Sequence, residues 1–243
     1  MEQPEYNMFR RENVEIPGGT MRTDPQGCAR SRDNYPAFLA DWLDVASYTD
    51  VTCSAATTAD LYAPMVMFDG NTTDPQLDAV SADTDLVTLG IGGNDFGIYD
   101  SLIQCQRGPA AVCPVEQLRT DAGKVAGRVE QAVRRIARTA PDAEVVVVGY
   151  PDILPTKGTC RAVGVPAEVL GPVTEVAGLL NASLEKGATA AGGEYVDMAA
   201  VRPGSVGVEV PAELFRRAIG VPERLPESRA VRVVEAHQGG IEH

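Results

Sequence analysis

The chain has 243 residues, 44% of them hydrophobic, and a formal net charge of −13. That length and apolar content suit one α/β domain with a sizeable core, or at most two small ones. The acidity argues against nucleic acid or an anionic membrane as partner. No apolar run approaches the roughly 18–20 residues that span a bilayer, and two histidines without C-x2-C spacing make a metal site unexpected.

Met1 to Gln26 reads as polar and irregular, and Met1–Arg10 lacks the apolar core of a signal peptide, so none is expected. Tyr35, Phe38, Leu39, Trp42 and Leu43 recur at helical spacing and predict a helix over Asn34–Val45. Pro36 falls in its first turn, where proline is tolerated. Tyr48–Cys53 is a strand candidate. Ser54–Ala63 reads as a loop entering a helix, and Pro75–Val80 as a short helical turn.

Asp85–Ile91 is a strand that ends abruptly in Gly92-Gly93-Asn94-Asp95. Chemistry collects at strand ends in α/β proteins. Here Gly92 and Gly93 allow a sharp turn, and the next residue is an amide able to donate to a developing oxyanion. Ordinary turn chemistry explains the same four residues equally well. Val125, Val129, Val133 and Ile136 predict a long helix over Thr120–Thr139, ended by Pro141. The four valines in Glu144–Gly149 mark a strand buried on both faces. Pro151–Pro166 is a loop, Ala167–Ala191 a second long helix, and Glu194–Ala199 another strand. The alternation of strand and helix predicts a parallel sheet with helices on both faces. Val201–His243 has weak periodicity, with a short helix at Glu213–Ile219.

Five cysteines are present. Cys105 and Cys113 bracket a short loop with Gly108-Pro109 and suit a local disulfide, while Cys28 and Cys53 flank a helix and a strand and suit a second. Cys160 is left over. Five buried or free thiols remain the plainer alternative at this point.

Five segments match one family in order: Gly27-Cys-Ala-Arg-Ser31 with Asn34-Tyr-Pro36; Cys53-Ser-Ala-Ala-Thr-Thr-Ala-Asp60; Pro75-Gln-Leu-Asp78; Asp85 to Asp95; and Val148-Gly-Tyr-Pro151. On these segments, from Gly27 to Asp197, the chain resembles the SGNH (GDSL-type) serine ester hydrolases, in their secreted actinobacterial lipase and esterase branch. The resemblance implies a flavodoxin-like three-layer α/β/α sandwich around a central parallel sheet. It also implies acyl transfer through a serine with an oxyanion hole, without cofactor or metal. It maps two of the branch's three disulfides onto Cys28–Cys53 and Cys105–Cys113. The third would join the Cys160 position to a late cysteine that this sequence lacks.

Carried over residue by residue, Asn94 is the oxyanion side-chain donor and Ala55 a backbone N–H donor, standing where the family has glycine. Gly92 belongs to the same site turn. An alanine keeps the N–H, but it is strained if the site needs a positive φ. The nucleophile is unassigned: the Gly-Asp-Ser block has no counterpart, and no serine precedes Ser31. The apolar first strand is also missing, with Val14–Ile16 as a shorter substitute. His237 is the candidate base. Val234 stands where the orienting acid is expected, so Glu235 or a backbone carbonyl would have to orient it, and a plain surface histidine reads equally well.

The expected organisation is an irregular segment 1–26 in place of the nucleophile block, a hydrolase-like domain 27–200, and a divergent segment 201–243. The implied function is a carboxylic-ester hydrolase (lipase or esterase) acting on a small ester or lipid, extracellular and monomeric, impaired or inactive for want of its serine. The alternative is a catalytically dead homologue, serving as a binding module or arising as a truncated or frameshifted product. A flavodoxin-like phosphate binder is disfavoured, because no Gly-rich phosphate loop follows a strand.

Overall fold

In the computed structural model the described residues are 14–16, 19–21, 27–28, 30, 35–43, 45–67, 70–107, 113–152 and 167–200. Their frame is a parallel sheet of three strands in the order β3-β4-β5: β3 (Leu86–Leu89), β4 (Glu144–Val148) and β5 (Glu194–Val196). Leu86 pairs with Glu144 and Val146 with Glu194. Three long helices serve this sheet: α1 (Tyr35–Leu43) on one face, and α3 (Val115–Thr139) with α4 (Ala167–Ala190) on the other.

The strand sequences dictate that sandwich. Side chains alternate across a strand, and both faces here are apolar. Leu86, Val146, Val148 and Val196 pack with Leu39 and Leu43 of α1. Val87, Leu89, Val145 and Val147 pack with Val125, Val129, Val133 and Ile136 of α3 and Val176, Leu180 and Leu184 of α4. Each such side chain contributes about 1.5–3 kcal/mol over an exposed position. The long helices pack closely because Gly187 leaves room: a methyl there would meet the Ala126 carbonyl at 2.5 Å.

Four expectations are corrected. Val14–Ile16 (β1) does not substitute for a first strand of the parallel sheet; it pairs antiparallel with Gly19–Met21 (β2) in a separate two-stranded sheet. Tyr48–Cys53 forms no strand. Its backbone is partly engaged locally, with the Thr52 N–H donating to Asp50 Oδ1 and Arg30 donating to the Thr52 carbonyl. A helix that periodicity did not announce, α2 (Ile98–Arg107), follows the Gly92–Asp95 turn, and α3 begins five residues before the predicted Thr120. The predicted helix at Glu213–Ile219, the loop beyond Asp152, Cys160 and both histidines lie outside the described residues.

Both mapped disulfides are present, Cys28–Cys53 and Cys105–Cys113. The first ties the chain before α1 to the loop that follows Cys53, and the Ser54 N–H donates to the Cys28 carbonyl beside it (3.0 Å).

Candidate active site at the end of β3

Two segments meet at the carboxyl end of β3. One is the turn Gly92–Gly97, which β3 delivers directly. The other is the loop Cys53–Leu61, ending in a 3-10 turn at Thr58–Leu61. Thr57 starts that turn with a capping box: its hydroxyl accepts from the Ala59 N–H, while its own N–H donates to Asp60 Oδ2 (2.7 Å).

Gly92 has φ +107, and a methyl group there would lie 2.6 Å from Val125 Cγ1 and 3.4 Å from Leu184 Cδ2. Glycine is therefore required twice, by backbone conformation and by the helices packed behind it. Its carbonyl accepts from the Asp95 N–H, and the Gly93 N–H donates to the Tyr150 hydroxyl (3.0 Å). Tyr150 in turn is fixed by Asn181 of α4. The Asn181 amide accepts from the Tyr150 N–H and donates to its carbonyl, both at 2.8 Å.

The expected site residues Asn94 and Ala55 are brought to adjoining loops. Asn94 Nδ2 donates to the carbonyl of Ala56 at 3.0 Å. An amide nitrogen carries two hydrogens, and the second has no partner among the described residues; nor has the N–H of Ala55. Ala55 is exposed and has φ +65, the left-handed conformation in which a side chain costs roughly 1–2 kcal/mol. This alanine holds a backbone conformation that glycine adopts freely.

Asp95 is completely buried (0% exposed). Its Oδ1 accepts from the Thr58 N–H (2.8 Å), and its Oδ2 from the Thr58 hydroxyl (2.6 Å) and from Arg128 of α3 (2.9 Å). Phe96, also in the left-handed region at φ +58, lays its 40%-exposed ring over the Arg128 guanidinium, 4.0 Å from its centre. A cation–π contact of about 0.5–2 kcal/mol offsets backbone strain of similar size. Sequence reasoning missed Arg128, Thr58, Phe96 and Tyr150. Asp95 calls for a cation only once its burial is known, and that burial is not written in the sequence.

Among the described residues no three His, Cys, Asp or Glu side chains converge as a metal site, and no helix is long and apolar enough to cross a membrane. A shallow groove of about 300 Å³ on the outer face of α3, lined by Gly127, Glu130, Gln131, Arg134 and Arg138, shares no residue with these loops.

A parallel sheet held between helices on both faces is the frame of the SGNH-type ester hydrolases. Known proteins agree with that class. The chain belongs to the GDSL-like Lipase/Acylhydrolase family, whose sequence model matches residues 17–216. It is similar to Lipase 2 of Streptomyces coelicolor, with 31% identity over 209 residues covering 79% of this chain and 69% of that protein. A lipase of Streptomyces rimosus is 29% identical over 75% of this chain and 65% of its own length. An esterase of Streptomyces scabiei is 30% identical over 70% and 61%. The chain thus spans between three fifths and seven tenths of these relatives. Among solved structures, phospholipase A1 from Streptomyces albidoflavus NA297 superposes with a TM-score of 0.60 (32% identity, 71% of this chain and 70% of that one). The extracellular lipase of Streptomyces rimosus superposes with 0.55 (29%, 69% and 68%).

Proposed function

We propose that this chain carries the oxyanion pocket of a carboxylic-ester hydrolase of the lipase or esterase type, and that residues 1–243 alone turn esters over poorly or not at all. The Asn94–Ala56 hydrogen bond carries the reading. It sets the two open donors, the second Asn94 N–H and the Ala55 N–H, on loops joined at one point. A carbonyl oxygen accepting from both would gain charge in the tetrahedral intermediate, where the donors act most strongly. Each such donor is worth about 10²–10³ in turnover. The substrate would be a small ester or a lipid.

The absence of a Gly-Asp-Ser block from residues 1–243 supports the reading of impaired activity for this stretch. An acyl-transfer site without its nucleophile retains only a residue of rate from its oxyanion donors and binding, about 10³–10⁴ over water. The same observation favours a second reading, a binding module that keeps the cleft and has lost turnover. We assign the hydrolase-like unit to residues 27–200 and the candidate base to His237. Two disulfides and the likeness to an extracellular lipase favour an extracellular site of action.

Hydrolysis of a short p-nitrophenyl ester, run beside labelling with a fluorophosphonate probe, tests the proposal. The expected result is weak hydrolysis lowered further by N94A, with no labelled residue. Rapid turnover with the probe mapped to one Ser or Thr would overturn the impaired reading. Full insensitivity to N94A would overturn the pocket.

A further inference from the structure

The geometry points to Arg128 as a positioning residue of the oxyanion pocket, acting through Asp95; this deepens the pocket proposed above and rests on that reading for its ligand. Each open donor lies on a segment with one end in the Asp95 cluster. Asn94 immediately precedes Asp95, and Ala55 lies three residues before Thr58. Asp95 spends both oxygens on Thr58, so its carboxylate fastens the loop to the turn. The Asn94–Ala56 bond is the second fastening, on the pocket side.

Arg128 supplies the charge that lets this carboxylate stay where it is. An uncompensated buried carboxylate is costly, and it relaxes by turning toward water. That change would remove acceptors from Thr58 and free the loop that carries Ala55. The Phe96 ring covers the guanidinium on one side, and α3 presents the arginine one turn beyond Val125, the side chain packed behind Gly92. The helix that shapes the turn sterically therefore also ties it electrostatically to the loop.

The test compares Arg128→Met, Arg128→Lys and Thr58→Val with Val133→Ala, a core change on the same helix at a side chain packed beside Gly193. Amide exchange at Thr58 and the Asn94 side-chain amide resonances report the clamp directly; decanoate, a product-like carboxylate, reports the pocket. For R128M the expected result is Thr58 exchange about tenfold faster or more, a displaced Asn94 side-chain signal, and decanoate binding weakened about tenfold. R128K should recover most of each effect. T58V, which removes only the hydroxyl, should move them in the same direction by less and serves should R128M fail to fold. V133A should leave them unchanged at a comparable loss of thermal stability. Unaltered Thr58 exchange and Asn94 signals in both R128M and T58V, or equal changes in V133A, would overturn the assignment. If the parent protein fails to bind decanoate, the pocket reading falls, while the exchange and resonance data still decide the role of Arg128.

Discussion

The turn after β3 and the loop after Cys53 both enter the left-handed region, and they do so for different reasons. Gly92 is buried, and the space for a Cβ is already taken by Val125 and Leu184. Ala55 is exposed and carries its Cβ into solvent. One positive φ is imposed by packing from behind, the other by hydrogen bonds, a disulfide and the partner loop. Position 92 therefore tolerates no side chain, while position 55 tolerates one at a modest backbone cost. The comparison shows why an alanine can hold a positive φ at position 55 while position 92 requires glycine.

The largest effect should come from breaking the packed member. Gly92→Ala combines αL strain with overpacking against α3, so a loss of roughly 2–5 kcal/mol is expected in chemical denaturation. G92A/V125A should recover part of it. A loss below 1 kcal/mol would show that α3 yields easily.

Next comes the support of the loop. Cys28→Ser with Cys53→Ser releases the covalent tie beside Ser54, and a loss of about 2–4 kcal/mol is expected. Cross-linked loops of this kind lose stability mainly through the unfolded chain. The measurement is therefore the thermal midpoint of the double variant against the oxidised parent.

Smaller and opposite in sign is Ala55→Gly. Removing the methyl relieves the left-handed strain, less the extra chain entropy that glycine loses on folding, so a gain of about 0.5–1 kcal/mol is expected. A destabilised A55G would mean that the methyl makes contacts outweighing its strain.

The smallest effect is a control at the opposite end of the sheet, where Glu144 opens β4. Partial desolvation, then the charge of Glu194, raises the Glu144 pKa above its ordinary 4.5. A raised value means the folded protein holds this proton more tightly than the unfolded chain. The stability it lends is complete below the ordinary value and is lost as pH rises through the folded one. Glu144→Gln should therefore be slightly more stable than the parent at pH 7, by less than about 0.5 kcal/mol, with the gap closing near pH 4. Neither turn should move.

The sequence carried the fold where period and length were both strong. Val125, Val129, Val133 and Ile136 marked α3, and the run Val145–Val148 marked β4, because burial there repeats along the chain. It failed where the signal was short or local. Helix α2 offers only a few apolar positions after a turn, and Tyr48–Cys53 looks like a strand until Asp50 and Arg30 claim its backbone. In the site, the motif named Asn94 and Ala55, and the structure sets them on adjoining loops. The partners of Asp95 were not legible. Thr58 and Arg128 lie 37 and 33 residues away, and no local pattern announces a bond across such distances.

Those separations also bear on the order of events in folding. Thr58 and Arg128 are 70 residues apart in the chain, with Asp95 between them. Contacts of that span reward the chain only after the intervening loops have closed. The helices can draw on local bonds from the start, whereas the Asp95 junction has to wait for α3 to dock and for two loops to find each other. In a refolding time course, helical ellipticity should rise before the Thr58 amide becomes protected, making this junction one of the last parts of the protein to form.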